Sequence, residues 1–366
     1  MYDTIVVGVG IAGISTAYWL KEAGQRVLLI DKEGLLAGAS GAAGAFLSPR
    51  LGKGGALQRI TNEAYRFAID FYAKSVPEAL FQKGLVRIPK DEGDAKKFET
   101  YRKHCDIAYR WCDSKDFSFI TPTAMQYGAF YFEHSAFVDP MTVAKALTAS
   151  IETEWGIDAK PLYQEGYWYV GEYRAKHIVL ATGADKPPVD MPYITIGGVW
   201  GERVDVKTSA DIPVTLHQKL SVSANIDGIV RIGATHVRND PRSELERVNQ
   251  LIDDAIALVP ALKDCQMVRI YAGHRSAVND HFPIVGAVAD TEQAKATLKV
   301  PSKSIKPESD AIPHLPNCYM IGAFGGRGFV FAPLMGKIMA DKIINNQPVD
   351  ASISLDRYLL RYLKRQ

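Results

Sequence analysis

Cysteine is scarce. The 366-residue chain has four, Cys105, Cys112, Cys265 and Cys318, and none of them forms a Cys-x-x-Cys pair or a His/Cys ligand run. That speaks against a disulfide framework and a structural zinc site, and it fits a reduced, cytosolic protein. The four read as small buried or half-buried hydrophobes. An excess of one charge is also missing. Lys plus Arg is 43 and Asp plus Glu is 41, a formal net charge of +2. With 47% apolar and 23% charged residues, the composition is that of ordinary folded proteins. It excludes a disordered chain, a collagen and a coiled coil. A near-neutral chain has no large global field, which argues against a binder of nucleic acid driven by overall charge. Long apolar runs are lacking save one. Thr4 to Leu20 carries no charge over 17 residues. It has no basic segment before it, as a signal peptide would. Gly8, Gly10 and Gly13 interrupt it, whereas a membrane span wants about 20 predominantly apolar residues. Both readings are rejected, and a soluble cytoplasmic protein without a membrane segment is expected. Internal repeats and nucleophile motifs are absent as well.

What is present begins in that same run. Thr4 to Gly8 is a short β-branched stretch, the pattern of a buried parallel strand. Gly8-Val-Gly-Ile-Ala-Gly13 follows at once, then a helical pattern from Ile14 to Ala23 closed by Gly24. Arg26 to Ile30 reads as a second strand ending in Asp31, 23 residues beyond Gly8. A lone GxGxxG is weak, but strand, glycines, helix, strand and acid together make the dinucleotide fingerprint. Gly8 permits a tight turn, Gly10 leaves room for a pyrophosphate, and Gly13 lets helix and strand approach. Ile11 and Ala12, between these glycines, would border the cofactor, and the helix that follows would turn its free N–H groups to the phosphates. Asp31, with Lys32 beside it, would meet a ribose diol, and an acid there disfavours NADP. The competing reading is a glycine-rich structural turn.

A second small-residue loop, Gly38 to Ala45, follows the second strand. Its Ala39, Ser40, Gly41, Gly44 and Ala45 would let a long cofactor lie against backbone. A nicotinamide dehydrogenase has no need of such a loop and a FAD enzyme does; the alternative is a flexible linker. The loop holds no Cys or His, so the flavin is expected to be non-covalent. Further along, Ile178 to Leu180 runs into Ala181-Thr182-Gly183. Near the C-terminus a strand, Cys318 to Gly322, leads to Gly325-Gly326-Arg327-Gly328 and a helix beginning at Phe329. Both units would aim backbone at the same ligand. Between them the pattern predicts helices over 57–72, 94–111, 140–150 and 243–258. Strands are predicted over 85–89, 129–133, 167–171, 174–180, 194–206, 228–233 and 268–277.

These elements together resemble the D-amino-acid-oxidase/glycine-oxidase family of FAD enzymes over essentially the whole chain. A narrower resemblance, to the oxidase domain of bifunctional tRNA 5-methylaminomethyl-2-thiouridine biosynthesis proteins, rests on four stretches. They are Gly38 to Pro49, Ala272 to Gly286, Gly325 to Pro333, and Asp350-Ala-Ser followed by the basic segment Arg357 to Arg365. The last discriminates best. The resemblance implies an α/β fold. A Rossmann-like, glutathione-reductase-type FAD domain (1–80, 135–190, 268–366) is interleaved with an α+β substrate domain on an antiparallel sheet (81–134, 191–267). It implies oxidation of 5-carboxymethylaminomethyl-(2-thio)uridine at the tRNA wobble position, with glyoxylate released and the aminomethyl base left. The fingerprint begins at Thr4, so a stand-alone oxidase is expected, with methylation by a separate methyltransferase. Arg275, in Ala-Gly-His-Arg, matches the family's carboxylate-binding position; the alternative is an ion pair with Asp280. Arg327 is placed near flavin or substrate. Gly322, Gly325, Gly326, Gly328 and Phe329 would border the flavin.

His274 and His281 read as structural or surface residues, Tyr271 as core, and no metal is expected. Any tRNA site must be a local patch. Its candidates are Arg357, Arg361, Lys364 and Arg365, and the lysine-rich stretch Lys295 to Lys306; the alternatives, which are favoured, are an amphipathic helix docked on the body by Tyr358, Leu359, Leu360 and Leu363, compatible with an outward basic side, and a solvated surface loop. Two other readings stay open: an oxidase or dehydrogenase of free glycine, sarcosine or D-amino acids, and a non-catalytic flavin- or tRNA-binding protein.

Overall fold

The computed structural model describes residues 1–238, 244–298 and 311–365. The chain divides into two compact units: residues 1–38, 144–198 and 275–366, and residues 39–143 and 199–274. Two long strands, Gly197–Lys207 and Gln266–Ala277, cross the division.

The first unit is built on a parallel sheet. Tyr2–Val7 is buried at five of its six residues, as a strand covered on both faces must be. It pairs in parallel with Val27–Asp31 on one side and with Tyr173–Leu180 on the other. Tyr173–Leu180 pairs in parallel with His314–Gly322, and Val27–Asp31 with Glu152–Trp155. The expected hairpin over 167–180 forms, with Trp168 opposite Ala175. Ile5, Leu28, Ile30, Ile178, Leu180 and Met320 are among the apolar residues that fill its core.

Two helices cover this sheet side by side. Ile11–Glu22 starts after an extended Gly10 and closes at Gly24, which has a positive φ of 84°. Gly328–Asn345 ends at Asn346 in the left-handed region. Their backbones touch at Gly336, where a Cβ would lie 2.8 Å from the carbonyl carbon of Ser15. Trp19 donates its indole N–H to the carbonyl of Pro333 at 2.9 Å, so the proline's place inside the helix is tied to the neighbouring helix.

The second unit carries an eight-stranded sheet. Its order is 266–277, 197–207, 229–233, 221–222, 215–217, 85–87, 129–132, 110–112. From 197–207 onward the pairing is antiparallel except between Thr215–His217 and Leu85–Arg87, which run parallel. Val86, Val204, Val206, Leu216 and Ile232 form its core with Leu251 and Leu258 of the helix Leu245–Leu258.

Two local differences from the sequence reading have plain causes. The helix expected over 94–111 is Glu92–His104, capped by the Asp91 carboxylate. It stops where Cys105 turns extended, and Arg110–Cys112 becomes an edge strand on Ala129–Phe132. Residues 39–80, expected with the cofactor domain, group with the second unit. There Phe46–Leu47 pairs with Ala136–Val138, a ladder that local sequence does not announce.

Candidate functional site

In the first unit, register decides which residues meet. Val7 lies opposite Leu180 and Ile30, and Leu180 lies opposite Met320. The carboxyl ends of these strands therefore stand in a row. Gly8, Asp31, Ala181-Thr182-Gly183 and Gly322 follow them directly. Ligands of open α/β sheets bind at this end. Gly8 has a φ of 104°, and a Cβ there would run into the Ala181 carbonyl; one at Gly13 would run into the Gly8 carbonyl. Gly183, Gly322 and Gly325 also have positive φ, and a Cβ on any of them would meet open space. Gly325–Arg327 forms a single 3-10 turn, closed by Arg327 N–H on the Phe324 carbonyl at 3.0 Å. The helix from Gly328 starts at its end, and a Cβ on Gly328 would be 3.2 Å from Ile11. The N-termini of the two long helices thus adjoin. Neither cap residue makes a side-chain cap hydrogen bond, and the positive end of each helix dipole favours an anion there. A cradle of bare backbone at two helix N-termini fits the pyrophosphate of FAD. The residues that would hold it are Gly8, Gly10, Ile11, Ala12 and Gly13, with Gly322 to Phe329 alongside.

Asp31 is more occupied than the sequence suggested. Its Oδ2 accepts the Val9 N–H at 2.7 Å, and its Oδ1 accepts those of Glu33 and Gly34 at 2.8 and 3.0 Å. It ties the glycine turn to the end of the second strand, so a ribose would share a carboxylate already engaged. Lys32 leans to Asp185 at 3.1 Å, and that hydrogen bond raises its pKa.

Arg275 and Arg327 both belong to this unit. A Cβ on Gly326 would lie 4.0 Å from the Arg275 side chain, so the arginine borders the glycine turn. It is half-buried, and burial lowers its pKa from the usual arginine value. The alternative partner Asp280 is taken by Arg357, at 3.0 Å. Arg327 is half-buried at the start of the long helix. His281 is exposed in a left-handed turn, with φ 61°. Phe329 is buried.

The small-residue loop, Ala39 to Ala45, lies in the second unit. There two residues that the sequence reading passed over hold it. A Cβ on Gly273 would come within 2.8 Å of the Ala39 backbone. Arg203, 4% exposed, donates from Nη1 to the Ala43 carbonyl. Its guanidinium lies 3.9 Å above the Tyr271 ring and 3.1 Å from Asp205. Burial lowers the Arg203 pKa and raises that of Asp205, against the pull of each on the other. Tyr271, expected in the core, is a half-buried ring between the guanidinium groups of Arg203 and Arg269. The only sequence signal was a cluster of charges, Glu202-Arg203-Val-Asp205, inside a strand pattern. Ser40 accepts the Ala43 N–H at 3.3 Å, and Ala45 accepts that of Val138 at 3.1 Å. His274 is exposed, edge-on to Trp200.

The expected basic patch at the C-terminus loses one of its four cations. In the helix Asp356–Leu363, Arg357 turns inward to Asp280 with 10% of its side chain exposed, and Leu359 is buried. Arg361 also reaches Asp280, at 3.4 Å, but stays exposed, as do Lys364 and Arg365. Of the lysine-rich stretch, Lys295 pairs with Glu292 at 2.8 Å; Lys299, Lys303 and Lys306 lie outside the described residues. No helix among the described residues is long and apolar enough to cross a membrane.

Fold and cradle define a flavoprotein of the doubly wound dinucleotide-binding class. The chain belongs to the FAD dependent oxidoreductase family, whose model matches residues 3–342. A tRNA 5-methylaminomethyl-2-thiouridine biosynthesis bifunctional protein of Methylobacillus flagellatus is 28% identical over 98% of this chain. The chain spans 59% of that relative's length and 60% of a similar one from Campylobacter concisus. A putative thiamine biosynthesis oxidoreductase of Rhizobium etli is 27% identical over 77% of the chain and 86% of its own length. Among solved structures, glycine oxidase from Geobacillus kaustophilus shares the fold. It has a TM-score of 0.78 and 19% identity, over 97% of this chain and 98% of that one.

Proposed function

We propose that this chain oxidises the carboxymethylaminomethyl group of 5-carboxymethylaminomethyl-(2-thio)uridine at the tRNA wobble position. The C–N bond α to the carboxylate loses a hydride and a proton to become an imine. Water then hydrolyses it to glyoxylate and the 5-aminomethyl base. That base is what a methyltransferase needs to complete the methylaminomethyl group named in the bifunctional relatives. Such work would place the protein in the cytoplasm.

The observation that carries this reading is Arg275, half-buried beside the Gly325–Arg327 turn. A planar fork held in a partly dry setting grips a carboxylate bidentately and fixes its α-carbon. FAD, when bound, supplies the two-electron acceptor. The N–H groups of the glycine turn and the helix N-terminus at Gly328 supply donors to developing negative charge. The match of the tRNA-modifying relatives across nearly the whole chain supports the larger substrate.

A second reading, oxidation of a free amino acid such as glycine, sarcosine or a D-amino acid, is favoured by the inward turn of Arg357, which removes one cation from the expected tRNA surface. One experiment separates the two. The FAD-loaded protein is incubated with tRNA bearing the carboxymethylaminomethyl group, and separately with the free amino acids, while glyoxylate and nucleoside composition are followed. Conversion of the tRNA alone is expected; turnover of free amino acids with untouched tRNA would overturn the proposal. In the tRNA reaction, Arg275→Ala should lose roughly 2–5 kcal/mol of transition-state stabilisation. Arg275→Lys should recover only part, because it lacks the fork.

A further inference from the structure

The tRNA proposed above needs a cationic surface, and the C-terminal helix offers less of one than its sequence promised. The second unit contains another. The segment 50–55, Arg-Leu-Gly-Lys-Gly-Gly, is held against the end of the helix Glu92–His104 by buried polar side chains from the helix Ala56–Ser75. Asn62, fully buried, accepts the Arg50 N–H at 2.7 Å and donates to the Arg50 carbonyl at 3.2 Å. Gln58, 4% exposed, accepts the Gly54 N–H at 2.8 Å and donates to the His104 carbonyl at 2.7 Å. Leu51 packs against the cluster of Phe98 and Phe130, with Tyr101 alongside. Lys53, Arg59, Arg102 and Lys103 are exposed around this junction, and Arg50 is half-buried in it.

The acid at the junction is spent. Asp106 receives Asn62 at 2.5 Å and Arg66 at 3.0 Å. Among the described residues, no carboxylate lies within ion-pair distance of Arg50, Lys53, Arg59, Arg102 or Lys103. Glu63 and Glu99 stand on the same two helices without reaching them. Fold stability explains only part of this. Cations in the last turn of Glu92–His104 complement the negative end of that helix, which accounts for Arg102 and Lys103. Lys53 and Arg59 stand at the start of Ala56–Ser75, whose first turn holds no acid; there the helix dipole opposes cations. Arg50 loses hydration with no counter-ion, and burial lowers its pKa. Aromatic rings are interleaved: the Arg102 guanidinium lies 4.6 Å above Trp111. Unpaired cations on a fixed loop, mixed with aromatic faces, suit a polyphosphate chain that also presents bases.

We infer that the junction of segment 50–55 with the end of the helix Glu92–His104 is the surface on which the phosphate backbone of RNA is bound. The inference rests on the tRNA reading. Its test compares two FAD-loaded variants of equal net charge: Lys53→Glu with Lys103→Glu, and, as control, the exposed Lys21→Glu with Lys160→Glu. Equilibrium binding of unmodified tRNA is measured from low to moderate salt, beside FAD content and melting temperature. The junction variant should bind at least tenfold more weakly, with a salt slope smaller by about two, and the control within twofold of wild type. Equal losses in both variants would show a global charge effect and overturn the surface while the tRNA reading stands. Failure of the wild type to bind tRNA at all would sink that reading, and the surface with it. Binding of poly-glutamate as tight as that of tRNA would assign the junction to an acidic protein and overturn it.

Discussion

Arg203 shows how one buried side chain can set the small-residue loop expected to meet the cofactor. Its guanidinium serves three partners inside the second unit: the Ala43 carbonyl, the Asp205 carboxylate and the Tyr271 ring. Removing one member of a buried ion pair leaves the other charged and unpaired, at a cost of roughly 3–5 kcal/mol. Arg203→Met should therefore lower the melting temperature. It should also weaken FAD retention, measured by dialysis against FAD-free buffer, because Ala43 loses its anchor. Adding Asp205→Asn should restore much of the stability but not the retention. Retention unchanged in the single variant would remove the loop-setting role. The local sequence marks Arg203 only by its charged neighbours Glu202 and Asp205, and a charged residue in a strand ordinarily points to water. Only the sheet's placement of that face against the loop makes it structural.

The elements bear out the sequence where periodicity and glycine speak together. The fingerprint strand and helix, the hairpin over 167–180 and the final strand, turn and helix lie where they were expected. The terminal helix was legible as a docked amphipathic element, but not that Arg357 is one of the residues that dock it. Its Arg357 and Tyr358 both bind Asp280, at 3.0 and 2.9 Å, some 77 and 78 residues away in the chain. Burial acts to raise the Asp280 pKa, but hydrogen bonds from Arg357 and Tyr358 outweigh it and hold it below the usual carboxylate value. A depressed carboxylate stabilises the fold fully above its unfolded pKa, near 4, and that contribution fades as pH falls through the folded value. Asp280→Asn should thus melt lower than wild type at pH 7. The gap should narrow as pH falls below about 4 in a series of thermal scans. A gap independent of pH would refute the linkage.

At the scale of the whole molecule, the pieces expected to hold the cofactor are scattered along the chain, near residues 8, 31, 181 and 325, and parallel register gathers them at one end of the first unit's sheet. A cradle of positive-φ glycines and uncapped helix ends is anion-shaped before any ligand arrives. FAD binds the folded state, so it should stabilise it by RT ln(1 + [L]/Kd), about 2.7 kcal/mol at a hundredfold excess over Kd. Stripping FAD should lower the melting temperature, and adding FAD back should restore it in a concentration-dependent way. A melting temperature indifferent to FAD would contradict the cradle.

The sequence alone determined the cofactor class and the α/β plan. Dinucleotide binding demands glycine, helix start and acid at short fixed spacings, and local patterns record short spacings. Tertiary structure decided the rest: that residues 39–80 join the second unit, that Asp31 is already engaged by three N–H groups, that Arg203 holds the small-residue loop, and that Arg357 faces inward. Each depends on contacts between residues far apart in the chain. The number of cations is written in the sequence, but which of them keep a free charge depends on where the fold places the acids.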